Sequence, residues 1–149
     1  MKATKLVLDD KAVYLRLSAV KLAEYAKSIN SSGNTVFAIM DSLDDLEKQA
    51  ALFNAALTYN GNPNDIHDGF ELIDMLADAQ YDPISIKTLI LQLAEEAGII
   101  SSADAARMIA AIKAGNERLY NIAVAVLTGD TSSLSDEEGK SEQTEENPT

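Results

Sequence analysis

The sequence predicts a mainly α protein: an N-terminal β-hairpin packed on a bundle of about five amphipathic helices, followed by a disordered acidic tail. Three observations predict it. Apolar residues recur at steps of three and four in segments separated by Gly, Asn and Pro. The first apolar stretch instead alternates with period two about a polar turn. Beyond Gly129 the composition turns acidic and keeps Leu134 as its only large apolar residue.

Lys5-Leu-Val-Leu8, the turn Asp9-Asp10-Lys11, and Ala12-Val-Tyr-Leu-Arg-Leu17 read as the hairpin. Val13, Leu15 and Leu17 alternate with Tyr14 and Arg16, as in a half-buried strand. An isolated hairpin is marginal in water, so its apolar face must rest on helices. Ser18 is placed as the N-cap of a helix whose stripe is Val20, Leu22, Ala23 and Ala26 up to Ile29. Asn30-Ser-Ser-Gly33-Asn34 stops it, and a short apolar segment, Val36 to Met40, follows.

Asp41-Ser42 is expected to open the next helix, with Ser42 and Asp45 as a capping pair. Leu43, Leu46, Ala50, Phe53 and Leu57 form its face. Asn60-Gly-Asn-Pro-Asn64 is a loop. Asp68 or Gly69 starts another helix, with Phe70, Ile73, Leu76 and Ala77 inward. Tyr81-Asp82-Pro83 breaks it, and Pro83 suits the first turn of the following helix, where its missing N–H costs nothing. There Ile86, Leu89, Ile90, Leu93 and Ala97 make the cleanest stripe of the chain, Gln92, Glu95 and Glu96 face water, and Gly98 follows the last turn.

Ser102 caps the last helix, with Asp104 in its first turn. Ala106, Ile109, Ile112, Leu119, Ala123 and Val126 are expected along one face, and Gly115 marks a break into two shorter helices. The domain is thus placed at 1–129 and the tail at 130–149. The tail carries seven acids against Lys140 alone, half of the chain's net charge of -12, and too little apolar surface to offset the entropy of ordering.

Composition narrows the function. With 12 basic against 24 acidic residues, the chain is a poor ligand for nucleic acid or for an anionic membrane. There is no Cys, so disulfides and thiolate metal sites are out. No signal-peptide core follows Lys2 and Lys5, because Asp9 and Asp10 interrupt the apolar run, and no run has the length of a membrane span; the expected location is the cytoplasm. His67 is the only histidine, at a helix entry, and reads as solvent-facing. Asn60 to Asp65 lacks the Gly of a calcium loop and contains Pro63. Asp44, Asp45 and Glu47, and the pair Glu95-Glu96, fall on solvent faces rather than in a cleft where a carboxyl group is tuned. No phosphate loop or dinucleotide fingerprint occurs, so no enzyme activity, metal or cofactor is expected.

The order of elements, together with Leu15-Arg16-Leu17-Ser18-Ala19, Ala51-Leu52-Phe53-Asn54-Ala55-Ala56-Leu57, Phe70-Glu-Leu-Ile-Asp74, Tyr81-Asp-Pro-Ile-Ser85 and Leu89 to Ile100, resembles the tail assembly chaperones of long-tailed phages and prophages of Gram-positive bacteria, over about residues 5–100. The resemblance implies a protein that coats the long helical tape measure protein, gives way to the major tail protein as the tube grows, and is absent from the finished virion. It also implies a longer frameshifted form, for which Glu138-Gly139-Lys140 permits a slippery codon run. The Ala-rich helix after Gly98 departs from that pattern; dimerisation, and so self-association of the chain, or client docking are the roles weighed for it.

The residues themselves support a protein-binding role through amphipathic helices. The partner-binding residues expected are Phe70, Ile73, Ile86, Leu89, Ile90 and Leu93, although the Ile86–Ala97 stripe also reads as core. The alternative is an acidic helical adaptor or inhibitory module, motivated by the net charge, with half of that charge on the tail rather than on a rigid face.

Overall fold

The computed structural model describes residues 3–29, 35–57, 66, 68–115 and 117–129. The stop at Asn30–Asn34, the Asn60–Asn64 loop, His67 and the acidic tail lie outside the described residues. The chain forms two compact units, Met1–Ser101 and Ser102–Thr149. The fold is mainly α with an N-terminal hairpin, as the periodicities require. Seven helices are described where about five were expected, because the Val36–Met40 segment is itself helical and the last helix is broken in two.

In the first unit, strands β1 (Thr4–Leu8) and β2 (Lys11–Leu15) pair antiparallel, from Thr4 opposite Leu15 to Leu8 opposite Lys11. Lys11 is therefore in the strand, and the turn is Asp9-Asp10 alone, with φ of 45° and 69°. Positive φ at both positions gives a two-residue turn whose twist matches the strands, and Asp tolerates that region better than most non-glycine residues. Leu8, Val13, Leu15 and Leu17 are buried. The Arg16 amide donates to the Ala56 carbonyl at 2.9 Å, tying the exit of β2 to the third helix.

Helix α1 (Ala19–Ser28) is capped by Ser18, whose hydroxyl oxygen accepts from the Lys21 amide at 3.2 Å. Its inward stripe is Leu22, Tyr25 and Ala26, while Val20 and Ala23, expected inside, are exposed. The stripe is rotated because Tyr25 buries more surface than Val20 and has a partner for its hydroxyl, which donates to the Ala38 carbonyl at 3.2 Å. That carbonyl belongs to α2 (Thr35–Ser42), which buries Ala38, Ile39 and Met40.

Ser42 does not open the next helix. It ends α2, fully buried, with its hydroxyl donating to the Ile39 carbonyl at 2.6 Å. The cap of α3 (Leu46–Leu57) is Asp45, whose carboxylate accepts from the Lys48 amide at 3.1 Å. Leu43, Ala50, Phe53 and Leu57 are buried as expected, with Leu52, Ala55 and Ala56, but Leu46 stands out into solvent.

Helix α4 (Gly69–Asp78) is capped by Asp68 and buries Gly69, Leu72 and Leu76. Phe70 and Ala77, expected inward, are exposed, and Ile73 is half-buried. Gly69 causes the rotation: a Cβ there would lie 1.8 Å from the Ala50 carbonyl oxygen, so the bare side of α4 sits directly on the backbone of α3. Helix α5 (Pro83–Glu96) starts with Pro83 and is capped by Asp82, which accepts from the Ser85 amide at 2.7 Å. It buries Ile86, Leu89, Ile90, Leu91, Leu93 and Ala94, more than one face, and ends at Gly98 with φ 78°. Gly98 donates to Glu95 and Ile99 to Ala94, at 2.9 and 3.0 Å, a Schellman ending.

In the second unit, α6 (Ser102–Lys113) and α7 (Glu117–Thr128) pack on each other, joined through Gly115 at φ 66°. Ala105, Met108, Ala111, Ala123 and Ala125 are the buried residues. Of the expected face, Ala123 is inside, Ile109 and Ile112 are half-buried, and Ala106, Leu119 and Val126 are exposed. Alternate small residues let Met108 fill the gap that a stripe of Ile would overfill.

Candidate docking surface

Polar chemistry is sparse in the first unit. A shallow cleft of about 140 Å³ is lined by Thr4, Leu15 to Ala19, Leu93, Glu96 and Ala97. Its one carboxylate, Glu96, accepts from the Thr4 hydroxyl at 2.7 Å, which fastens β1 to the end of α5. Asp82 is held below the ordinary carboxylate range by the backbone N–H and then the hydroxyl of Ser85, as a helix cap requires. Burial pushes the Tyr25 phenol up, opposed by the Ser42 hydroxyl, and the group links α1 to α2. Among the described residues no group of three His, Asp or Glu side chains is arranged to hold a metal ion, and no helix is long and apolar enough to cross a membrane.

What the first unit does present is large apolar side chains on rigid helices. Leu46, Phe70 and Ile84 are 57%, 47% and 39% exposed. Each stands in the first turn of its helix. Backbone packing joins α4 to α3 there, and a surface ion pair ties α5 to the turn before α3. Gly69 is seated on Ala50, one turn along α3 from Leu46, which sets Phe70 beside that turn. Lys87 Nζ lies 2.8 Å from Asp44 Oδ1, joining the chain two residues before Leu46 to α5 one turn past Ile84. Val7 and Val20 are exposed on the hairpin and α1.

Of the six residues expected to bind a partner, Phe70 is exposed and Ile73 half-buried, on one side of α4. Ile86, Leu89, Ile90 and Leu93 are 9% exposed or less. They are core, because α5 is covered on more than one face, and they do not present a surface. Leu46 and Ile84 are the exposed residues that periodicity does not flag. Leu46 fits the stripe of α3 in spacing but precedes the stretch that α4 covers, and Ile84 lies off the α5 stripe in the turn opened by Pro83. Comparison with known protein families, with curated proteins and with solved structures finds no match to this chain.

Proposed function

We propose that this chain is a non-enzymatic, protein-binding factor of the tail assembly chaperone kind. In this reading it holds the tape measure protein in the bacterial cytoplasm, helps recruit the major tail protein, and is left behind when the virion is complete. The observation that carries the protein-binding part is the exposure of Leu46 and Phe70 on two helices fixed to one another by backbone packing, with Ile84 also exposed on α5. Exposed apolar side chains grouped on a rigid surface favour association with another protein. The tail-assembly part is supported by the run of phrases from Leu15 to Ile100 that resembles those chaperones.

A reversible holdase needs contacts weak enough to be replaced, and a few half-exposed side chains suit that better than a deep groove. The net charge of -12 keeps such a particle dispersed while apolar surface is in view. The test is co-expression of the full chain with the tape measure protein from the same phage or prophage. A soluble complex that co-purifies and is released on addition of the major tail protein is expected. A client that stays insoluble and does not co-purify overturns the reading.

A further inference from the structure

We infer that the exposed side of α4 binds a basic amphipathic helix; this deepens the chaperone reading above by stating the chemistry of the client. At 100° per residue, the faces of α4 follow one another in a definite order. Gly69, Leu72 and Leu76 point into the unit. Beside them come half-buried Ile73, then exposed Ala77 and Phe70. Beyond Phe70 come Asp74, Asp78 and Glu71, all exposed. An apolar shoulder therefore runs the length of α4 with a row of carboxylates along its outer edge.

Among the described residues that row has no cationic partner. The sequence has no Lys or Arg between Lys48 and Lys87, and among the described residues Glu71, Asp74 and Asp78 enter no ion pair. Glu71 with Asp74, and Asp74 with Asp78, are like charges at helix spacings of three and four, which destabilise a helix. Asp78 also stands in the last turn, next to the negative pole of the helix. Phe70, 47% exposed, breaks a second local rule on the same element. Both features are unfavourable in the free chain, and both are relieved by one kind of partner: a helix with large apolar residues at steps of three and four, bordered by Lys or Arg. A second copy does not meet that description, since it would set the same carboxylates against each other on a chain of net charge -12.

The experiment uses the full chain and two labelled synthetic helical peptides of about 20 residues. Both carry the same Leu stripe; one is bordered by Lys and the other by Glu. The parent chain is expected to bind the Lys peptide and reject the Glu peptide. The double variant Asp74→Lys with Asp78→Lys should bind the Lys peptide about tenfold more weakly or worse and gain the Glu peptide. Phe70→Ser should weaken the Lys peptide in the parent and the Glu peptide in the double variant. All changes are on exposed positions, and circular dichroism confirms the fold.

Equal affinity of parent and double variant for the Lys peptide overturns the proposal, as does no binding by the parent. A parent dimer that Phe70→Ser dissolves assigns the face to a second copy and overturns it too. The two readings separate cleanly. A peptide switch without co-purification of the tape measure protein sinks the tail-assembly reading and leaves the α4 site. Co-purification untouched by the double variant sinks the α4 site alone.

Discussion

Replacing Gly69 by Ala should unseat α4. The added Cβ would lie 1.8 Å from the Ala50 carbonyl oxygen, 2.6 Å from its carbon and 2.9 Å from its Cα. Ordinary contacts between such atoms are about 3.5 Å, so the two backbones must part by more than an ångström. All three obstructing atoms are main chain in the middle of a hydrogen-bonded helix, and no rotamer change relieves the clash. Overpacking of this kind costs about 1–3 kcal/mol, and a backbone obstruction belongs at the upper end. Better helix propensity returns at most about 1 kcal/mol.

A net loss of about 2 kcal/mol is therefore expected, or a fall in Tm of roughly 8 °C for a chain of this size. Urea unfolding followed by far-ultraviolet circular dichroism measures it. Gly98→Ala is the control, because that position has φ 78° and an added methyl would meet nothing within 4 Å, so only backbone conformation is disturbed. There the loss should be about 1 kcal/mol. Gly69→Ala as stable as the parent, or less damaging than Gly98→Ala, would refute the close approach of α4 to α3.

Gln80 holds the left-handed position that ends α4, at φ 68°, with its amide donating to Ala77 and that of Tyr81 to Leu76, at 3.0 and 2.9 Å. Gln80→Gly removes the Cβ conflict at some cost in unfolded-chain entropy, and the urea midpoint should rise by the equivalent of about 0.5–1 kcal/mol; a fall would refute the assigned ending. Tyr25→Phe should cost about 1 kcal/mol at neutral pH through the lost bond to Ala38. Its pH dependence has a definite sign. The folded phenol is raised above its ordinary value of 10.0, so the unfolded state releases the proton first and the parent loses stability as pH rises from 10.0 toward the folded value. The variant lacks that loss, and its stability should fall less steeply above pH 10.0. Parallel alkaline profiles would contradict the burial of the hydroxyl.

Although α2 reads there only as a short apolar segment, the hairpin and most of the helices are legible in the sequence, because period two and period 3.6 are local properties. So are Ser18, Asp68 and Pro83 as helix starts and Gly98 and Gly115 as stops, since caps act within one turn. Helix faces are less legible. Helix α4 carries two apolar stripes about 100° apart, Gly69-Leu72-Leu76 and Phe70-Ile73-Ala77, and periodicity scores them alike. The same holds in α1 for Val20 and Ala23 against Leu22, Tyr25 and Ala26. Which stripe goes inward is settled by an element far along the chain. Ser42 shows the limit for caps, since a buried hydroxyl bonded to Ile39 serves the end of one helix where the sequence suggests the start of the next.

The docking surface depends on the same choice. Had Phe70 faced α3, its Cβ would have taken the place where only the hydrogen of Gly69 fits, against the Ala50 carbonyl. Seating the glycine therefore turns Phe70 outward, and turns Asp74 and Asp78 with it, since each is fixed in angle on one rigid helix. Exposure of the aromatic ring is thus a consequence of core packing rather than of a loose segment, and its orientation does not await a partner. A ring held outward in advance loses little conformational entropy on binding. That distinguishes α4 from the Ile86–Leu93 stripe of α5, which would have to leave the core to meet the client proposed above, whereas the outer side of α4 is accessible with the fold intact.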